Sequence, residues 1–228
     1  MDFTKATQLR KQYITQQFSH LNNMQQQAVF SIKGPLLILA GAGSGKTSVL
    51  INRISNMVRF GDSYNSPYFP GDVDEDTLEM LAQAVANNTK LDFDKETCIA
   101  TGKIYPWNIL DITFTNKAAA ELRTRLEGSL GSASKDIMAS TFHSLCMRIL
   151  RRDGYLLGYR KEFTIYDTDD QKRGMKEVMK DLNIDDKFVQ LKVAINRISG
   201  YKDKLIGPSE AEKYATNTHE KLKVRCYE

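Results

Sequence analysis

Leu36-Leu37-Ile38-Leu39-Ala40-Gly41-Ala42-Gly43-Ser44-Gly45-Lys46-Thr47 is an apolar run that breaks into a glycine-rich turn and ends on a Lys-Thr pair. A short run of large aliphatic residues bounded by turn signals reads as a buried strand. Beyond it Val49, Leu50, Ile54, Met57 and Val58 recur close to the helical period, so a helix is expected to start near Lys46. Strand, glycine turn and helix in that order are the setting of a phosphate-binding loop. In such a loop successive backbone N–H groups point inward at phosphate oxygens, glycine stands where a Cβ would block the approach, and the helix N-terminus adds partial positive charge. The expected nucleotide contacts are Ala40, Gly41, Ala42, Gly43, Ser44, Gly45, Lys46 and Thr47. Ala40 occupies the position where the strict pattern has glycine, and is small enough to keep the turn. Lys46 would reach the β and γ phosphates of ATP, and the Thr47 hydroxyl would hold Mg2+ together with the nucleotide.

Working outward, a second apolar strand is expected over residues 109–115 and a third over 136–141, each running into a helical stretch, 116–130 and 142–152. Alternating strands and helices predict an α/β fold, a parallel sheet with right-handed crossovers. About 45 residues separate the first helix from the second strand, far more than a crossover needs. Residues 61–106 therefore read as an insert, a surface excursion with one helix over 76–87 that leaves the sheet intact. After residue 152 the signals are helical, apart from Phe163-Thr164-Ile165-Tyr166: helices over 168–182 with Asp167 as N-cap, 188–198, and one opened by Pro208. The expected organisation is a nucleotide-binding domain over 1–150 and a partial helical subdomain over 151–228, whose last residues continue a helical pattern without a stop signal.

The chain carries 32 basic and 28 acidic side chains, a net charge of +4 that is unevenly spread. Residues 61–100 hold nine acidic and two basic groups, a local balance of −7, which leaves +11 on the rest. Residues 113–161 hold nine basic and four acidic groups, a footprint that suits a phosphate backbone and equally a solvated helix face. Cys98, Cys146 and Cys226 lack the paired spacing of a disulfide framework or a zinc site. No segment reads as a secretory leader or a membrane span, so a cytoplasmic location is expected.

A phosphate loop by itself implies a nucleotide but not what the nucleotide drives. Its neighbours are more specific. Leu21-Asn22-Asn23-Met24-Gln25-Gln26-Gln27-Ala28-Val29 stands before it; Ile112-Thr113-Phe114-Thr115-Asn116-Lys117-Ala118-Ala119-Ala120-Glu121-Leu122 and Ser140-Thr141-Phe142-His143-Ser144-Leu145-Cys146 follow. In this order around the loop they resemble the Q motif, motif Ia and motif Ib of the UvrD/Rep/PcrA family of superfamily 1 helicases, over nearly the whole chain outside the acidic insert. The resemblance implies a RecA-like sheet with helices on both faces. It implies an ATP-dependent motor that moves 3′ to 5′ on single-stranded DNA and opens duplex junctions, with ATP and Mg2+ as cofactors and protein partners left open.

Carried onto this sequence, the resemblance makes Gln25 the adenine reader. It makes Phe114, Thr115, Asn116, Thr141, Phe142 and His143 the DNA contacts. A Phe at a strand end can stack on an unpaired base or simply join the core, and Thr115 and Asn116 can hold a phosphate, cap a helix, or both. The resemblance also adds Ser48 to the nucleotide contacts, where this chain departs from the family, which often has arginine. The family's Asp-Glu pair for Mg2+ and water, and its second-domain arginines, have no counterpart read in this chain. Asp167-Thr168-Asp169-Asp170-Gln171 matches a structural segment instead. By resemblance the chain is expected to be inactive alone. Two alternatives stay open, a helicase–nuclease subunit and a nucleotide-dependent DNA-binding module without a motor.

Overall fold

A computed structural model describes residues 3–71 and 73–228, which divide into two compact units, one ending at Asp153 and the other Gly154–Glu228. The first unit opens with two helices, α1 (Phe3–Gln17) and α2 (Asn23–Phe30), and the helix after the glycine turn, α3 (Lys46–Arg59). Two helices of the acidic segment follow, α4 (Glu75–Asn87) and α5 (Phe93–Ile99). Then come β1 (Leu110–Thr113), α6 (Asn116–Leu130), β2 (Met138–Thr141) and α7 (Phe142–Asp153).

The strand–helix–strand unit forms where the sequence predicts it. β1 and β2 pair in parallel, with Leu110 opposite Met138 and Thr113 opposite Thr141. The connecting α6 is capped at its start by Thr115 and stops at Gly131, whose φ of 59° lies in the left-handed region that glycine tolerates. Ile51 and Ile54 of α3, Leu122 and Leu126 of α6, and Ile137 and Ala139 around β2 form one buried cluster. The phosphate-loop helix and the β1–β2 crossover are thereby packed together.

The expected strand before the glycine turn is not formed. Residues 36–40 carry no regular structure, and Leu37 and Leu39 are 80% and 86% exposed. A strand is stable only where a neighbour takes its N–H and C=O groups. Among the described residues β1 and β2 pair with one another, and the run 36–40 belongs to neither ladder. The α/β character therefore rests here on a two-stranded parallel sheet. The helix after the turn does begin at Lys46, with its buried face on Val49, Ile51, Ile54 and Val58 while Leu50 faces outward.

The acidic segment is a second correction, because it is not a surface excursion. Leu81, Ala84 and Ile99 sit in one cluster with Tyr13, Ile14 and Phe18 of α1, Val29 and Phe30 of α2, and Phe60. Phe18 meets Phe30 and Phe60 edge-on at 5.7 and 6.3 Å. Two buried charges lock this packing. Arg10, fully buried, donates to the carbonyls of Tyr68 at 2.7 Å and of Ser66 at shorter range, and lies 3.9 Å above the Phe69 ring. Burial lowers its pKa to about 10. Glu96 accepts from the Tyr13 hydroxyl at 3.0 Å and from Arg59, the last residue of α3, whose Nε and Nη2 each reach one carboxylate oxygen. Buried charges are tolerated when paired in this way. The segment also closes on itself: Gly61 bridges Thr101, Asp62 N–H donates to Thr101 O at 2.8 Å, and a Cβ on Gly61 would lie 2.3 Å from the Gly102 backbone.

The second unit is helical, with α8 (Thr168–Asp181), α9 (Leu191–Asp203), α10 (Pro208–Tyr214) and α11 (Thr218–Arg225). Asp167 caps α8 in a reciprocal box with Asp170, so these acids are spent on a helix start. Residues 163–166 form no strand, and α9 begins later than its sequence pattern suggests. α11 ends at Arg225, with Val224 and Cys226 buried. No helix among the described residues is long and apolar enough to cross a membrane.

Candidate functional site

The glycine turn is held by its own hydrogen bonds and by its neighbours. The Lys46 ammonium donates to the carbonyls of Ala40 at 2.9 Å and Gly41 at 2.5 Å, and the Ser44 hydroxyl donates to Gly41 O at 2.8 Å. Gly43 and Gly45 both take left-handed φ values, 75° and 82°, and Gly45 is the N-cap of α3. The Lys46 cation thus sits over neutral carbonyls, an arrangement that an anionic oxygen can displace at a gain in electrostatic energy.

α2 is fixed against α3 by polar residues that occupy apolar-stripe positions. Val49, Arg53, Asn56 and Phe60 recur at helical spacing, and the two polar members reach the end of α2. Arg53 donates to Ala28 O at 2.6 Å and also to Ser31 O, while the Asn56 amide donates to Val29 O at 3.1 Å. Burial lowers the Arg53 pKa. These residues were not anticipated as part of the site; a cation and an amide standing on an otherwise apolar stripe are the sequence signal for them.

The bracket sets Gln25 beside the turn. Its Oε1 accepts the Asn22 N–H at 3.1 Å, and its Nε2 donates to Ser44 O at 3.2 Å. Between α2, residues 36–40 and the turn lies a cavity of about 480 Å3, bounded by Met24, Gln25, Ala28, Leu37 and Lys46. Its walls are apolar with a few amides, the chemistry a purine takes, and it adjoins the turn whose amides would take phosphates. The residues present therefore fit a nucleotide. Thr47 lies exposed on the first turn of α3. No group of three His, Cys, Asp or Glu able to hold a metal occurs among the described residues. Ser48 is engaged within the helix, its carbonyl accepting from the Asn52 amide at 2.8 Å.

A second cluster lies at the C-terminal ends of the two strands. Because Thr113 pairs with Thr141, the residues that follow each strand are adjacent. Phe114 is 92% exposed and Phe142 52% exposed, their ring centres 6.3 Å apart and tilted by 49°. The Thr115 hydroxyl accepts from Ala118 N–H at 3.1 Å, capping α6, and Asn116 and His143 are exposed beside the rings. Thr141 stands behind them, buried, with its hydroxyl bonded to Ser144 at the start of α7. Five of the six expected contacts thus form one surface of two rings, a helix N-terminus and polar side chains.

Three further observations come from known proteins. A model of the UvrD/REP helicase N-terminal domain matches residues 21–65 and 75–228. An ATP-dependent DNA helicase PcrA of Staphylococcus aureus is 37% identical over 209 residues, 92% of this chain and 23% of that protein. The PcrA of Staphylococcus epidermidis is 37% identical over 208 residues, 91% of this chain and 23% of its own length. The chain spans 23% of the length of these curated relatives.

Proposed function

Because the chain belongs to the UvrD/REP helicase family, matched by its N-terminal domain model over most of its residues, we propose that it is the ATP- and DNA-binding part of a DNA helicase that hydrolyses ATP to move 3′ to 5′ along single-stranded DNA. The observation that carries this reading is the packing of α3 on α6 through Ile51, Ile54, Leu122 and Leu126. α3 carries the phosphate turn at its N-terminus and α6 carries Thr115 and Asn116 at its own. A displacement of one helix is therefore felt by the other, since close-packed interiors transmit strain.

In this reading Lys46 exchanges its carbonyl partners for the β and γ phosphates, the amides of residues 41–47 cradle them, and Thr47 holds Mg2+ brought in with the nucleotide. Ala40, Gly41, Ala42, Gly43, Ser44, Gly45 and Ser48 shape the cradle, and Gln25 faces the adenine. Bound ATP supplies the phosphoryl group whose transfer to water drives the motor. Phe114 and Phe142 stack on unpaired bases, while Thr115, Asn116 and His143 take the backbone. Junctions between single-stranded and duplex DNA are the natural substrate, and the cytoplasm the working location.

The test is an ATPase assay of the full-length gene product with and without single-stranded DNA, beside its Lys46→Ala variant. Stimulation by DNA that vanishes in the variant is expected; an ATPase indifferent to DNA overturns the motor. The 228-residue chain itself is expected to bind magnesium nucleotide without turning it over, and rapid hydrolysis by the purified chain overturns that assignment.

A further inference from the structure

Both ends of the Gln25 amide are engaged by neighbouring backbone. Oε1 accepts the Asn22 N–H and closes a capping box with the Asn22 side chain, which accepts the Gln25 N–H at 3.0 Å. Nε2 donates to Ser44 O at 3.2 Å. The approach continues at the next residue, where a Cβ added to Gly45 would crowd Gln25 Nε2 at 3.0 Å. Ser44 is gripped from the other side by its own hydroxyl on Gly41 O. The helix that carries Gln25 is fixed in turn by Arg53 and Asn56.

We propose that Gln25 is a positioning residue for the phosphate loop, orienting the peptide between Ser44 and Gly45 independently of any contact with adenine. The geometry follows from the planar trans peptide, in which C=O and the next N–H point in opposite directions. Anchoring Ser44 O toward Gln25 aims the Gly45 N–H away from α2 and into the turn, where a phosphate oxygen would meet it. Without that anchor the peptide is free to rotate, and Gly45, at φ 82° and lacking a Cβ, gives little resistance. The hydrogen bond thus prepares one donor of the anion cradle before the anion arrives, so less ordering is left for binding. This inference rests on the reading of the turn as a nucleotide site.

The experiment separates the two ideas with a ligand that has no base. The 228-residue chain is titrated with a fluorescent ATP analogue, which is then displaced by ATP, by adenosine and by magnesium tripolyphosphate, in wild type, Gln25→Ala and Asn22→Ala. A neutral hydrogen bond lost should weaken tripolyphosphate about three- to tenfold in Gln25→Ala. Asn22→Ala, which opens the capping box but leaves the bond to Ser44, should bind tripolyphosphate as wild type does.

If Gln25→Ala loses ATP and adenosine but keeps tripolyphosphate, the residue reads the base only and the proposal fails. Equal losses in both variants assign the effect to the start of α2 and also overturn it. A wild type that binds ATP but is not displaced by tripolyphosphate overturns it too, whereas a wild type that binds no ATP removes the nucleotide site itself. Should Gln25→Ala melt below the assay temperature, Gln25→Glu keeps the capping acceptor and loses the donor. Its loss, compared at low and high salt to separate the added charge, must match the same three- to tenfold range.

Discussion

Thr113 and Thr141 stand opposite each other at the C-terminal ends of β1 and β2, and the residues that follow them, Phe114 and Phe142, have their ring centres 6.3 Å apart. An exposed ring at a strand end is free to stack on a base, and such stacking is worth about 1–3 kcal/mol. Phe114→Ala is expected to weaken binding of a short thymidine oligonucleotide by roughly five- to a hundredfold. Phe142→Ala should do so less, its ring being nearly half covered. Fluorescence anisotropy at fixed salt measures both. The salt slope should stay unchanged, because no phosphate contact is removed.

Lys46 is exposed and its partners are the carbonyls of its own turn. Lys46→Ala should therefore leave the melting temperature within about a degree or two, as surface substitutions do. Magnesium ATP binding should become undetectable by calorimetry, and retained affinity would show that the turn does not use this cation.

Glu96 is 4% exposed and is held by Arg59 and Tyr13. Breaking a buried pair from one side leaves the other charge uncompensated, at roughly 3 kcal/mol or more. Glu96→Ala is expected to lower the unfolding free energy obtained from urea titration by that amount, seen as an earlier midpoint at unchanged slope. A deletion of the acidic segment should expose α1 to protease, because Leu81, Ala84 and Ile99 would no longer cover Tyr13 and Phe18. A variant lacking the segment that melts like wild type would contradict the packing described.

Asp111 is buried on β1, its Oδ2 has no hydrogen-bond partner, and burial raises its pKa. The folded state thus holds its proton more tightly than the unfolded chain. The stabilising contribution is complete below the unfolded value near 3.8 and is lost as pH rises through the folded one. Asp111→Asn, which keeps the shape but cannot ionise, should be more stable than wild type at pH 7, because no charge is then held in the buried site. The difference should vanish in acid, which melts at pH 4 and pH 7 would reveal.

Much of this was legible where the signals were local. α6 could be bounded at both ends because Thr115 is a cap and Gly131 a stop, and α8 because Asp167 starts it. The turn of residues 41–45 could be recognised from glycine spacing and one Lys-Thr pair. What escaped depends on residues far apart. The apolar run 36–40 resembles a strand, but a strand exists only with a partner for its ladder. Leu81 looks like part of an isolated helix face until Tyr13, 68 residues earlier in the chain, is seen in the same cluster. Arg53 and Asn56 stand on the apolar stripe of α3, but what they bind there is visible only once the carbonyls at the end of α2 are placed above them.

The bridge between Gly61 and Thr101 gives the acidic segment a closed neck, so that the chain departs from the end of α3 and returns toward β1 at one point. The register of β1 on β2 is then insensitive to how much chain lies in the ring, and contour length enters only logarithmically, at about 0.6 kcal/mol for each doubling. Changes of length within the ring are expected to be tolerated where they spare the neck glycine, the apolar residues that cover α1 and the Glu96–Arg59 pair that ties the segment to α3.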